Sequence, residues 1–193
     1  GYFEASNHMD VPFCLMWANH NWRELFPVKF NVEPRVIWPG HVSANEFDRM
    51  TDLVIEKYFK HPAYYTIDGC PYFSIFSLKT FLRGFDSLQD AAKAVRCFRE
   101  KTKAAGFPDL HFNIITRRHL LVGDPEIAKL FQKQLNELDA QSTNTYNMAA
   151  FETFDDFPSI EYAKIVNSAE TFWRTMPDRI DQEYFPTISV GWD

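Results

Sequence analysis

Short apolar runs alternate with amphipathic stretches along this chain, and the connections between successive runs are long. Residues 11–18, 71–77, 110–116 and 184–192 read as strands, and 138–146 as a weaker, polar one. Between them lie stretches with apolar residues every three or four positions, the period of a helix packed on one side. Strands joined by crossovers of a dozen or more residues run parallel, because a tight turn can join only antiparallel neighbours. The expected class is therefore α/β with parallel strands, in one domain spanning 1–193. No repeat, low-complexity segment or interdomain linker divides the 193 residues, which suffice for one core of ordinary size.

Local signals punctuate the pattern. Ser43 and Glu46 form a capping box, in which hydroxyl and carboxylate satisfy the free amides at a helix start. Phe47, Met50, Val54 and Tyr58 follow on one face, and the helix is expected to end near His61-Pro62. Asp68-Gly69 reads as a tight turn before the second strand. Ser87 opens a second helix that buries Leu88, Ala91, Ala92, Val95 and Phe98, with Gly106 as a left-handed cap beyond its end. Asp124-Pro125 opens a third, as N-cap and first helical residue. Residues 159–176 read as a fourth, with Tyr162, Ile165, Val166, Ala169, Phe172 and Trp173 inward. Residues 19–40 carry Pro27, Pro34 and Pro39, and form a connection long enough to be functional or locally folded.

The first strand organises the rest. Phe13 to Trp17 are apolar without a break, which suits a strand buried on both faces. The run gives way at once to Asn19, His20, Asn21 and Trp22. Parallel strands open their carboxyl ends onto the binding face of the fold, so a polar cluster there suits a ligand site. Polar residues also follow the other strands, at 77–79, 116–119 and 143–146, and the last ends at Asp193. A (β/α)8 barrel would gather such ends around one mouth. An open doubly wound sheet would bind a dinucleotide through a G-x-G-x-x-G turn, and none of the seven glycines is so arranged. The barrel, incomplete in this chain, is the expected architecture.

Composition narrows the partner. The net charge is −6 and no run of Lys or Arg exceeds two, against the clustered basic face that nucleic acid needs. No stretch approaches the ~20 apolar residues of a membrane span. Cys14, Cys70 and Cys97 lack metal-ligand spacing and read as small core residues. Neither a metal nor a cofactor is expected. Aromatic residues make up 17% of the chain, with 19 Phe, 8 Tyr and 5 Trp. They fill a core, or line a pocket where rings stack on sugars.

The segments F-C-L-M-W-A-N-H-N-W (13–22), Y-F-K-H-P-A-Y-Y-T-I-D-G-C-P-Y-F-S-I-F (58–76), F-R-E-K-T-K-A-A-G-F-P-D-L-H-F-N (98–113) and Y-F-P-T-I-S-V-G-W-D (184–193) resemble the WbsX-like family. That family is labelled glycosyltransferase-like and is related to glycoside hydrolase family 99. The resemblance covers nearly the whole chain and implies a TIM-barrel-like fold that processes carbohydrate. It also implies a chain that starts after two barrel strands and stops at the seventh. Many relatives carry W-A-N-E-N-W, whose Glu is similar to a catalytic carboxylate of family 99 endo-mannosidases; here the position is His20.

Glycoside hydrolysis uses two carboxylates roughly 5 to 9.5 Å apart. Asp193, beside Trp192 at a strand end, is the expected catalytic carboxylate. Glu24 and Glu152 read as solvated loop charges. His20 is expected as the acid/base or hydroxyl-orienting group, since imidazoles as a class titrate near neutrality. Asn19 and Asn21 offer paired donors and acceptors for sugar hydroxyls, Trp22 a stacking platform and Tyr146 a pocket wall. Trp17 reads as core, and Arg117 and Arg118 as solvated loop residues. The expected partner is a carbohydrate substrate. A sugar-nucleotide transferase and a non-catalytic sugar-binding barrel are the alternatives; the first lacks a D-x-D pair or a Gly-rich cradle.

Overall fold

A computed structural model of the chain describes residues 1–24, 26–27, 31–117, 120–121, 123–148 and 159–189. It divides into two compact units, Gly1–Phe112 and Asn113–Asp193. The fold is α/β, with parallel strand pairing in each unit. In neither unit do the described strands close on themselves.

In the first unit, β1 (Leu15–Trp17) pairs in parallel with β5 (Cys70–Ile75). β4 (Thr66–Ile67) folds back onto β5 through Asp68 and Gly69, both at positive φ, as the Asp-Gly signal requires. β1 is shorter than expected. Phe13 adds only a lone parallel bridge to Tyr64. The strand is also not buried on both faces: Met16 is 40% exposed. Among the described residues β1 has a strand neighbour on one side only, so exposure alternates from residue to residue with the pleat.

The capping box forms as read. Ser43 Oγ accepts from the Glu46 amide while Glu46 accepts from the Ser43 amide, and α1 (Ala44–Val54) follows. The helix runs on as one π-helical segment, Ile55–Phe59. That wider turn shifts the inward face, so Ile55 and Phe59 are buried where Tyr58 was expected. A five-residue helix too short for its periodicity to announce it, α2 (Leu78–Leu82), follows β5 under a Ser77 cap. Then α3 (Leu88–Ala104), capped by Ser87, buries Ala91, Ala92, Val95 and Phe98. Gly106 closes it at φ 99°.

The phenylalanines make the core of this unit. Phe47 meets Phe81 edge-on at 5.2 Å, Phe73 meets Phe98 at 5.3 Å, and Phe59 stacks on Phe98 at 5.8 Å. Trp17 joins them through Phe47 and Phe81, as a core residue should. The cysteines do not: Cys14 and Cys97 are exposed and Cys70 is half-buried, all three free. Cys14 sits on the outward face of the first strand segment, next to Phe13 and Leu15 on the inward one.

In the second unit, β6 (His111–Thr116), β7 (Ser142–Thr145) and β8 (Glu183–Tyr184) pair in parallel in that order. β6 belongs to this unit from Asn113 on. α4 (Pro125–Glu137) begins under the Asp124 cap with proline at its first position. α5 (Tyr162–Arg174) begins later than expected, and Tyr162 is exposed. Among the described residues the last two strands are shorter than the expected 138–146 and 184–192. Asp139 at positive φ turns the chain before β7, and after Phe185 the described backbone leaves the ladder. The stretch 138–146 looked weak because it is polar, yet Ser142, Thr143 and Thr145 are buried. Ser142 Oγ donates to Asn113 Oδ1 and Asn113 Nδ2 donates to Asn144 Oδ1, each at 2.8 Å, so the polar groups satisfy one another. No helix among the described residues is long and apolar enough to cross a membrane.

Candidate functional site

The pleat of β1 decides what stands at its end. Phe13, Leu15 and Trp17 face inward, and the alternation carries Asn19 inward and His20 outward. Asn19 is 1% exposed. Its Nδ2 donates to the Ser77 carbonyl at 2.8 Å and its Oδ1 accepts from the Ser77 amide at 2.7 Å. Both faces of the amide are thus spent on tying the end of β1 to the residue that caps α2.

His20 stands in the open. Its ring stacks on Trp22 at 5.9 Å with 20° between planes, and meets Phe76 edge-on at 5.6 Å. Its Nδ1 lies 3.3 Å from the Asn21 carbonyl oxygen. Asn21 Oδ1 accepts from the Gly40 amide at 2.9 Å, which draws the return of the long connection onto His20. Glycine is required there: a Cβ on Gly40 would lie 2.4 Å from the His20 carbonyl carbon.

The described residues of the connection between these points include a local strand pair. β2 (Trp22–Arg23) and β3 (Val36–Trp38) form an antiparallel pair in which Trp22 stands opposite Trp38. These indoles are 64% and 69% exposed, whereas the phenylalanines of the core are almost fully buried. Two large rings left in water side by side at the wall of a cavity are a platform for something flat and apolar on one face.

That cavity has a volume of about 660 Å³, ample for a sugar ring and its neighbours. Asn19, His20 and Trp22 line it together with Trp38, His41, Glu46 and Arg83. The last four were not singled out in the sequence. Glu46 signalled only a helix cap there, and Arg83 follows a helix that the pattern did not reveal. The Ser43 amide and hydroxyl, at 2.7 and 2.8 Å from Glu46 Oε2, hold that carboxyl below its ordinary range, with Arg49 and His41 adding attraction. Glu46 is an anion at neutral pH. Arg83 caps the C-terminal end of α2, and Gly84 lets this turn sit against the Val42 backbone: a Cβ there would lie 2.0 Å from the Val42 oxygen.

Tyr146 is 50% exposed just past the end of β7, in the second unit. Asp193 and Glu152 lie outside the described residues, as does Arg118. Glu24 is exposed and pairs with Arg35 at 3.4 Å, a surface ion pair. Among the described residues no three His, Cys, Asp or Glu are grouped as metal ligands.

Comparison with known proteins agrees with the motifs. The family described as Glycosyltransferase WbsX matches residues 2–193. The chain belongs to that family. No curated protein and no solved structure matches this member. Membership in the WbsX family points to a carbohydrate-active enzyme, and the paired indoles with a polar rim are side chains suited to such a ligand.

Proposed function

We propose that this WbsX-family chain is a glycoside hydrolase of (β/α)8-barrel type acting on a glycan or polysaccharide. The observation that carries the reading is the cavity at the end of β1, with Trp22 and Trp38 exposed side by side and His20, His41, Glu46 and Arg83 around them. A sugar presents an apolar ring face and a rim of hydroxyls, and this lining offers stacking surfaces and hydrogen-bonding groups in the same hollow.

His20 is the acid/base or hydroxyl-orienting group, and Asn21 and Trp22 bind the sugar beside it. Asn19 acts by position, holding the strand end against α2. Asp193 and Tyr146 take the roles that the sequence suggests, catalytic carboxylate and pocket wall. The test is glycan binding and turnover by the full-length protein. Trp22→Ala and Trp38→Ala should each weaken glycan binding roughly threefold to tenfold. Both indoles are exposed, so the unfolding midpoint should hardly move. Asp193→Asn should remove turnover while binding remains. Full turnover by Asp193→Asn takes that residue out of the mechanism, and unchanged binding by both tryptophan variants removes the site.

The family's description favours a second reading, a glycosyltransferase. It requires a sugar-nucleotide donor, and calorimetric binding of one, with transfer to an acceptor glycan, would replace the hydrolase reading.

A further inference from the structure

We propose that the cavity at the end of β1 takes a negatively charged saccharide, with Arg83 supplying the counter-charge. This rests on the sugar-site reading and names the class of sugar. Four groups in the lining carry or can carry charge: His20, His41, Glu46 and Arg83. Glu46 is already answered, by two hydrogen bonds from Ser43 and by the attraction of Arg49 and His41. Arg83 is not. Its side chain makes no hydrogen bond or ion pair among the described residues.

The backbone that carries Arg83 is held at the cavity by a chain of fixed contacts. Asn19 ties the β1 end to Ser77, Ser77 caps α2, and Arg83 closes α2 two residues before Phe85 packs on Phe81. Gly84 presses the same turn onto Val42, beside His41 and Ser43 of the opposite wall. A planar fork of five N–H donors with no partner among the described residues matches a carboxylate or a phosphate, which accept two parallel hydrogen bonds. Neutral hydroxyls would leave that charge unanswered. The paired indoles add the platform for the ring that bears the anion. The shared chemistry is an anionic group on a sugar, either a uronate carboxylate or a sugar phosphate.

The experiment titrates the full chain by tryptophan fluorescence. The probes are galacturonate, mannuronate and guluronate tetrasaccharides, each beside its neutral methyl ester, and a nucleoside diphosphate glucose for the phosphate source. At least one acid form should bind on the order of tenfold tighter than its ester, the gain of a charge-assisted pair. The preference should shrink as salt is raised. Arg83→Gln should abolish it, bringing the acid form down to the affinity of its ester, and an unchanged unfolding midpoint reports an intact fold. Arg83→Lys should keep part of it, as a point charge without the fork. Arg83-dependent binding of the nucleotide sugar, without preference among the uronates, assigns the anion to phosphate. Saccharide binding indifferent to charge, or a preference that survives Arg83→Gln, overturns the inference and leaves the sugar site standing. Failure of every saccharide to bind overturns both.

Discussion

Asn19→Ala separates a clamp from a ligand. Asn19 was expected to meet sugar hydroxyls, yet its amide spends its donor and its acceptor on Ser77, at 2.8 and 2.7 Å, in a site 1% exposed. Each such hydrogen bond contributes a net ~0.5 to 1.5 kcal/mol, and buried groups left without partners cost more. Ser77 is half-buried, so water can reach part of what the alanine abandons. The expected loss is therefore about 2 to 3 kcal/mol. For a chain of this size that lowers the melting temperature by roughly 4 to 12 °C. Asn19→Asp keeps the acceptor for the Ser77 amide but sets a carboxylate oxygen against the Ser77 carbonyl, and should lose at least as much. The assay is thermal and urea unfolding beside glycan titration of the same samples. A ligand role has the opposite signature: binding would collapse with the midpoint unmoved. A shift under about 1 °C in Asn19→Ala refutes the clamp.

Three further substitutions test the frame around the site. Gly40→Ala drives a methyl into the His20 backbone, which cannot swing away like a side chain, and should cost about 1 to 3 kcal/mol in urea unfolding and weaken glycan binding. Ser87→Ala removes the cap that receives the Asp90 amide at 3.1 Å and should cost about 1 kcal/mol with glycan affinity unchanged. Asp109→Asn weakens the hold on buried Arg99, whose Nη1 also donates to the Leu110 carbonyl at 2.7 Å. Partial burial pushes the Asp109 carboxyl up, but the Leu110 amide and Arg99 together carry it below its ordinary 3.8. A depressed carboxyl stabilises the fold above its unfolded pKa and loses that contribution as pH falls through the folded one. With Asp109 partly exposed, the gap between wild type and Asp109→Asn should be roughly 1 to 2 kcal/mol at pH 7, after allowance for solvent screening. It should narrow below about pH 4 in urea titrations; a gap constant down to pH 2 would contradict the pairing.

What could be read in advance follows from how far each signal reaches along the chain. Ser43 with Glu46, Ser87, Asp124-Pro125, Asp68-Gly69 and Gly106 each encode their element within about four residues, and each forms as read. The face of β1 is different. Phe13 to Trp17 are uniformly apolar, so nothing in them distinguishes the packed side from the open one. The number of neighbouring strands decides that, and with it the inward turn of Asn19 and the outward turn of His20. The pairing of Trp22 with Trp38 spans a segment with two prolines, Pro27 and Pro34, and no local rule announces it. Val36, Ile37 and Trp38 do carry β propensity, and Gly40 and Gly84 mark close backbone approaches; together these were the available signal for the far wall of the cavity. The short strand 142–145 shows the converse, since burial there is achieved by polar groups pairing among themselves rather than by apolar pattern.

The cavity's two permanent charges allow a check that does not depend on knowing the sugar. Glu46 and Arg83 line the same hollow with opposite signs, and among the described residues only Glu46 has its charge answered by protein groups. Glutamine serves a capping box as well as glutamate does, so Glu46→Gln should leave α1 in place. It removes a negative charge from a hollow that should receive another one. An acidic oligosaccharide should then bind about twofold to fivefold tighter at low salt, a modest gain because Glu46 faces water. Its methyl ester should bind as before. Arg83→Gln should move the acid form the other way, and the double variant should fall between the two. Weaker acid binding in Glu46→Gln, at unchanged ester affinity, would mean that Glu46 itself accepts a hydroxyl of the charged sugar, and the charge assignment of the cavity would have to be reversed.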